Sequence, residues 1–301
     1  MKKIVVTQDL GLNEKERARL NKLGEVKYYD DLPETPEEWL KRCQNADIVC
    51  SGKFGLKQKY QQLENVFLSL PFVAVHFLDP EKLKEKNIKV SNCPGSNKEA
   101  VSEWVIAMIL NLLRDLPNWI NKLESTNRVP KETKGLLGKN ITILGQGNVG
   151  SRVGKICETL GMNITFFDRG DDLILSIKNA DVVVNTLGNN KSTKGLLDNN
   201  FFNSLKSGVY FITVTSSEIY DAQALLKALD RGILAGVATD CSSIQVGDVY
   251  DSFYKQFAEH PKVLATPHIA YNTYVTDRKA NKMMIDNIEA YIKGDLINLV
   301  C

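Results

Sequence analysis

Histidine is scarce in this chain. His76, His260 and His268 are the only three among 301 residues, so any chemistry that needs an imidazole has a short list of candidates. The six cysteines (Cys43, Cys50, Cys93, Cys157, Cys241 and Cys301) include no Cys-x-x-Cys pair and have no histidine nearby at metal-ligand spacing. That pattern predicts no metal site and reads as buried, reduced thiols in a cytoplasmic protein. Long apolar runs are missing too: the strongest, around Val105 to Leu113, falls short of the roughly 20 residues that cross a bilayer. The opening MKKIVVTQDL has a short apolar run and no small-residue cleavage site, so it reads as a first strand. Charge of one sign is also lacking. With 38 Lys and Arg against 36 Asp and Glu, the net charge is +2, too little to draw in a polyanion, which argues against nucleic acid as the main partner.

What is present is the composition of a globular protein, 43% hydrophobic and 25% charged, at a length that suits about two domains. Short β-branched runs alternate with helical periodicity throughout. Ile4 to Thr7, Glu25 to Tyr29, Asp47 to Cys50, Phe72 to His76 and Ile88 to Ser91 are the expected strands of a first series. Thr35 and Glu38, with Pro36 between them, mark a helix start. After the turn Asn92-Cys93-Pro94-Gly95, apolar residues from Val101 to Leu112 recur at helical spacing. The polar stretch from Arg114 to Lys139, with Pro117, Pro130 and Gly135, is expected to cross between domains. A second series follows: strands Ile141 to Leu144, Ile164 to Asp168, Asp181 to Leu187, Val209 to Thr215, Leu234 to Asp240 and Val263 to Ala265, and a last helix from about Thr276 to Lys293. The alternation predicts an α/β protein with parallel sheets.

Gly145-Gln146-Gly147-Asn148-Val149-Gly150 matches G-x-G-x-x-G, a weak signal alone. Here it follows an apolar strand and opens a helix with an apolar face of Val149, Val153, Ile156 and Leu160, as a dinucleotide site requires. Gly145 would make the tight turn, Gly147 would let backbone approach a pyrophosphate, and Gly150 would let helix and strand pack closely. The next strand ends at Asp168, 18 residues beyond Gly150, where a carboxylate can bind the adenine ribose and repel a 2′-phosphate. NAD is therefore expected over NADP, with Arg169 partly offsetting that repulsion. No lysine follows the glycines as a P-loop would need.

With these residues in place, the whole chain resembles the D-isomer-specific 2-hydroxyacid dehydrogenases. The most specific pieces are Asn92 to Asn97 with Ala100-Val101-Ser102-Glu103, the glycine loop, Asp221 with Ala224-Leu225, Leu234-Ala235-Gly236 with Asp240, and Thr266-Pro267-His268-Ile269-Ala270. The resemblance implies two Rossmann-like or flavodoxin-like domains. Residues 1–92 plus 272–301 would form the substrate domain, residues 93–271 an inserted NAD-binding domain, and two copies would pair through the latter. It makes His268 the acid that protonates a substrate carbonyl as hydride arrives, and Asp240 the ligand of the nicotinamide carboxamide. It places Thr186, Leu187 and Gly188, with Val214 and Thr215, along the dinucleotide. His76 and His260 are left as structural.

Three departures from the family pattern stand out. The arginine that grips the substrate carboxylate corresponds to Ser216, and a hydroxyl cannot offer a two-pronged cation. The glutamate that holds the histidine corresponds to Gln245, which can orient an imidazole but adds no charge. The family segment G-x-G-x-D-N-I-D, whose amides help bind the carboxylate, is expected to be about six residues short between Phe72 and Asp79, and losing one such preorganised contact costs about 10²–10³ in rate. Two functions follow: an NAD-dependent oxidoreductase acting on a small carbonyl or hydroxy compound through His268, Gln245 and Ser216, or an NAD(H)-binding regulatory protein without turnover.

Overall fold

A computed structural model describes residues 1–120 and 132–300 of the chain. The described residues divide into two compact units, 1–97 with 273–301 (Cys301 aside) and 98–272. The first boundary lies five residues beyond the expected one because the 92–97 turn packs with the first unit. Cys93 is fully buried beside Ile4, Phe67 and Met284, and its thiol donates to the carbonyls of Leu70 and Ala280. The stretch 114–139 is described only at its two ends, 114–120 and 132–139. Its described part belongs to the second, while Pro130 lies outside the described residues.

The first unit holds a parallel sheet of β1 (Lys2–Val6), β2 (Gly24–Tyr28), β3 (Ile48–Cys50), β4 (Phe67–Ser69) and β5 (Lys89–Ser91) in the order β2-β1-β3-β4-β5. Alternate residues go to opposite cores. Val5, Val49, Leu68 and Val90 pack on one face and Ile4, Val6, Ile48 and Phe67 on the other, which is the reason these strands read as continuous apolar runs. The fourth strand is not Phe72 to His76. Phe67, Leu68 and Ser69 are wholly buried and pair with both Ile48–Cys50 and Lys89–Ser91, whereas Pro71, which has no N–H to give a ladder, ends that run.

The helix Tyr274–Lys293 is fastened to the helix Glu14–Asn21 by Arg19. Its guanidinium donates to both oxygens of Glu289, at 2.9 and 2.7 Å, and to Asp286 at 2.7 Å. The bond from Arg19 holds the Glu289 carboxyl below its usual range. For Asp286, partial burial pushes upward, but the bonds from Lys282 and Arg19 outweigh it and the net direction is down. A depressed acid contributes stability that is complete above its unfolded pKa, about 4, and lost as pH falls through the lower folded value. The melting temperature is therefore expected to fall as pH drops below about 4. Arg19→Met should lower it at neutral pH and flatten that acid limb; an unchanged limb would remove Arg19 as its cause.

The second unit holds β6 (Asn140–Leu144), β7 (Asn163–Phe167), β8 (Val182–Asn185), β9 (Val209–Thr213), β10 (Leu234–Asp240) and β11 (Val263–Thr266). All pair in parallel in the order β11-β10-β9-β8-β6-β7. Both faces are buried: Ile141, Ile143, Val182, Val184 and Ile212 on one, Val183, Phe211 and Val237 on the other. Among the described residues no helix is long and apolar enough to cross a membrane.

Candidate functional site

In a parallel sheet every strand delivers its C-terminal end to the same edge, and ligands bind at that edge where the strand order reverses. In the second unit the order reverses between β6 and β8. Gly145 to Gly150 follow β6, Asp168 and Arg169 follow β7, and Thr186, Leu187 and Gly188 follow β8. Val214, Thr215 and Ser216 follow β9, Asp240 ends β10 with Gln245 beyond it, and His268 follows β11. Residues spread over more than a hundred positions of sequence therefore share one edge.

The glycines are demanded by contacts. Gly145 has φ +96°, and a Cβ there would press on the backbone of Thr186 and Leu187 at 3.2–3.3 Å. A Cβ on Gly150 would lie 1.9 Å from the Gly145 carbonyl oxygen, so helix and loop can approach only without one. Gly154, one turn on and not singled out by the motif, is required by the Phe166 ring, 2.6 Å from where its Cβ would be. Gly147 faces open space instead. It starts the helix Asn148–Thr159, which has no side-chain cap, while Asp side chains cap the helices Leu173–Ile177, Asn199–Asn203, Ala222–Asp230 and Ser252–Ala258. Open backbone at Gly147 and uncapped first-turn N–H groups fit a pyrophosphate.

Thr186 fastens the loop after β8 to the glycine turn: its N–H donates to Leu144 O at 2.9 Å and its hydroxyl lies 3.0 Å from the carbonyls of Leu144 and Gly145. Buried Asn185 links the next two strand ends, donating to Thr213 Oγ1 at 3.2 Å and Thr215 Oγ1 at 2.8 Å. On the other side, the Gly145 N–H donates to Phe167 O at 2.8 Å, which brings the exposed Asp168 next to the turn. Asp168 accepts from the Arg169 N–H, and its own N–H donates to Asp171 Oδ2, both at 2.8 Å. Asp171 adds a second carboxylate to that corner, beside the exposed Arg169.

His268 sits in a left-handed turn, φ +59°, built by a buried acid. Asp240, 3% exposed, accepts from Thr266 Oγ1 at 2.6 Å, the Ile269 N–H at 2.8 Å and the Ala270 N–H at 3.0 Å. Three of its roughly four acceptor positions thus organise the loop that carries the histidine, a role additional to the carboxamide contact expected of it. The imidazole Nδ1 lies 3.0 Å from the Ile244 carbonyl oxygen, and the Tyr271 ring stands edge-on at 5.5 Å. The hydrogen bond seen at Nδ1 is thus to a main-chain carbonyl one residue before Gln245, whose own side chain is exposed. Ser216 turns inward on its own loop, its hydroxyl accepting from the Glu218 N–H at 3.3 Å. Ser217 donates to Ser243 from both N–H and hydroxyl at 2.8 Å, tying the loop after β9 to the one that holds His268. A backbone acceptor such as Ile244 leaves no mark in a sequence, whereas Gly154 was visible as a fourth glycine on the helix face.

The other histidines lie elsewhere. His260 precedes β11, its Nδ1 accepting from the Lys262 N–H at 3.1 Å and its Nε2 lying 3.2 Å from Asp230. His76 is exposed in the first unit, in a loop that corrects the expected shortening. Because β4 ends at Ser69, Phe72-Val73-Ala74-Val75-His76-Phe77-Leu78-Asp79 fills all eight places of G-x-G-x-D-N-I-D before the helix Pro80–Glu85. The length is kept and the residues are changed.

Residues 106–270 match the NAD binding domain of the D-isomer specific 2-hydroxyacid dehydrogenases, more than half of the chain. D-3-phosphoglycerate dehydrogenase of Bacillus subtilis (strain 168) is 28% identical over 237 residues, covering 74% of this chain and 44% of that protein. The chain spans about half the length of the curated phosphoglycerate dehydrogenases it matches. Hydroxypyruvate reductase of Blautia hydrogenotrophica is 25% identical over 313 residues, covering 93% of both. In fold the chain is similar to an acyclic imino acid reductase solved with NADPH and D-arginine, with a TM-score of 0.86 at 21% identity over 99% of this chain and 100% of that one. The uncapped glycine turn, the acid after β7 and the matched residues 106–270 together make this chain, with its NAD-binding domain, a member of the D-isomer specific 2-hydroxyacid dehydrogenase family.

Proposed function

We propose that the chain is an NAD(H)-dependent oxidoreductase that interconverts a small carbonyl compound and its alcohol, with a 2-keto acid as the substrate class best supported. The observation that carries this reading is His268, held in a left-handed turn with its Nδ1 on the Ile244 carbonyl. With Nδ1 facing that carbonyl, Nε2 is the nitrogen that would serve a substrate oxygen. Bound nicotinamide would exchange a hydride with the substrate carbon. His268 then gives the Nε2 proton to the carbonyl oxygen in reduction and takes it back from the hydroxyl in oxidation. Asp240 keeps the histidine loop in place, and Gly145, Gly147 and Gly150 leave the space for the pyrophosphate. Asp168 and Asp171 crowd two carboxylates where a 2′-phosphate would sit, which supports NAD over NADP.

Support for a keto acid comes from the loop Phe72–Asp79, whose full length keeps the backbone the family uses for a carboxylate. Against full activity stands Ser216, and on that residue rests a second reading, an NAD(H)-binding regulatory protein without turnover. Pairing of two copies through the second unit, and work in the cytoplasm, belong to the same proposal.

The deciding measurement is NADH oxidation across glyoxylate, pyruvate, hydroxypyruvate and carbonyl compounds without an acid group, beside a fluorescence titration of NADH. Cofactor binding with turnover of at least one acid is expected. Binding with silence across the panel would favour the regulatory protein, and a cofactor that fails to bind at millimolar concentration would remove both readings.

A further inference from the structure

The Ile244 carbonyl faces His268 Nδ1 at 3.0 Å. A carbonyl oxygen has no proton to give, so this bond exists only while Nδ1 carries one. A main-chain acceptor is held only as firmly as its own peptide. Whatever fixes the Ile244–Gln245 peptide therefore fixes the tilt of the imidazole and which of its nitrogens is protonated.

Several bonds act on that peptide. The Ile244 side chain is buried, and its N–H donates to Cys241 O at 3.2 Å. On the far side the Gly247 N–H donates to Pro267 O at 2.8 Å and the Asp248 N–H to Gln245 O at 3.1 Å. Ser243, directly before the carbonyl residue, is exposed and has no such packing. It is held instead from the loop after β9, its Oγ accepting both the Ser217 N–H and the Ser217 hydroxyl at 2.8 Å. A hydroxyl oxygen has two acceptor positions, and one residue fills both. Among the described residues no other hydrogen bond joins residues 214–219 to residues 241–248. The anchor is itself fixed: the Ile219 N–H closes on Ser216 O at 3.1 Å, and Thr215 Oγ1 accepts from buried Asn185 at 2.8 Å.

The geometry points to Ser243 as a positioning residue for the reaction, with Ser217 as its partner. The pair clamps the loop after β10 so that the Ile244 carbonyl meets Nδ1 and keeps a proton there, which presents His268 in one tautomer. The inference rests on the oxidoreductase reading and adds to it two serines that act through the histidine. A pair that only stapled two loops together would change stability alone, whereas a clamp on the acceptor also changes the tautomer of the ring.

Nitrogen-15 spectra of the full chain, which has three imidazoles, read the tautomer without any substrate. At a pH where the ring is neutral, the parent should show His268 protonated at Nδ1. Ser243→Ala should shift the tautomer ratio about threefold to tenfold toward the Nε2–H form, the scale of an ordinary hydrogen bond. With a substrate found by the panel, kcat should fall by a similar factor while KM and NADH affinity stay at parental values, the latter reporting that the variant is folded. Ser243→Thr, which keeps the hydroxyl, should recover both readouts. Adding Ser217→Ala to Ser243→Ala should cost nothing more, because both act through the same bonds. Parental tautomer and parental kcat in Ser243→Ala would overturn the clamp, and so would a loss carried by KM with the tautomer unmoved. A parent that turns over substrate with a mixed tautomer would overturn it too and leave the oxidoreductase reading standing. A parent without turnover on any substrate would strike that reading, while the tautomer shift in Ser243→Ala would still decide the clamp.

Discussion

A His268→Ala variant is expected to lose about 10²–10⁴-fold in turnover, the usual contribution of a positioned general acid, while binding NADH as tightly as the parent. The imidazole is one of three in the chain, and of the three it is the one that follows a strand of the second unit at the edge shared with the glycine turn. His260 is tied to Asp230 and the Lys262 N–H ahead of β11, and His76 stands in the loop of the first unit. His268→Gln separates geometry from chemistry, since an amide can still bond to the Ile244 carbonyl but cannot give up a proton at neutral pH. Single-turnover rates with saturating NADH would read the effect. Rates within threefold of the parent in both variants would mean that the proton comes from elsewhere.

Gly150→Ala should damage the cofactor site itself. The added methyl would lie 1.9 Å from the Gly145 carbonyl oxygen and 2.7 Å from Thr186 Oγ1. The first contact is backbone and cannot swing aside, so the helix Asn148–Thr159 must lift from the turn and carry its first-turn N–H groups with it. Overpacking of this kind costs about 1–3 kcal/mol, which corresponds to about a tenfold to hundredfold loss of NADH affinity if the strain is relieved by opening the turn. Gly147→Ala provides the contrast. It meets nothing in the protein within 4 Å, so its fold should be unharmed and any loss of NADH affinity should come from the ligand's side. The two variants are compared by NADH fluorescence titration and by thermal melting without cofactor. A Gly150→Ala protein with parental stability and parental affinity would show that the turn can yield at no cost.

Most of the architecture was legible because it rests on local signals. β-branched runs marked the strands, G-x-G-x-x-G followed by an acid marked the cofactor loop, and the T-P-H segment with Asp240 marked the turn that carries His268. The fourth strand was not legible. Phe72 to Phe77 is richer in β-forming residues than Phe67-Leu68-Ser69, yet the latter lies between β3 and β5 with every residue buried. Strand preference measures how well a residue fits a half-buried pleat, so a segment's neighbours outweigh its composition. Moving the strand end back from His76 to Ser69 added seven residues to the loop before Pro80 and undid the shortening that residue types alone suggested. The carbonyl on His268 was equally hidden, because any residue at position 244 would provide the same acceptor.

By itself the sequence determined the family, the parallel α/β architecture, the glycine turn with Asp168, and the identity of the one histidine set in a motif, since each depends on residue type at short spacing. The tertiary structure alone decided where β4 lies, that Asp240 is committed by three hydrogen bonds to the histidine loop, and that the Ile244 carbonyl meets the Nδ1 of His268. Those outcomes depend on which distant backbone groups and charges are brought within bonding distance, and burial and pairing between separated segments are properties that spacing along a chain does not carry.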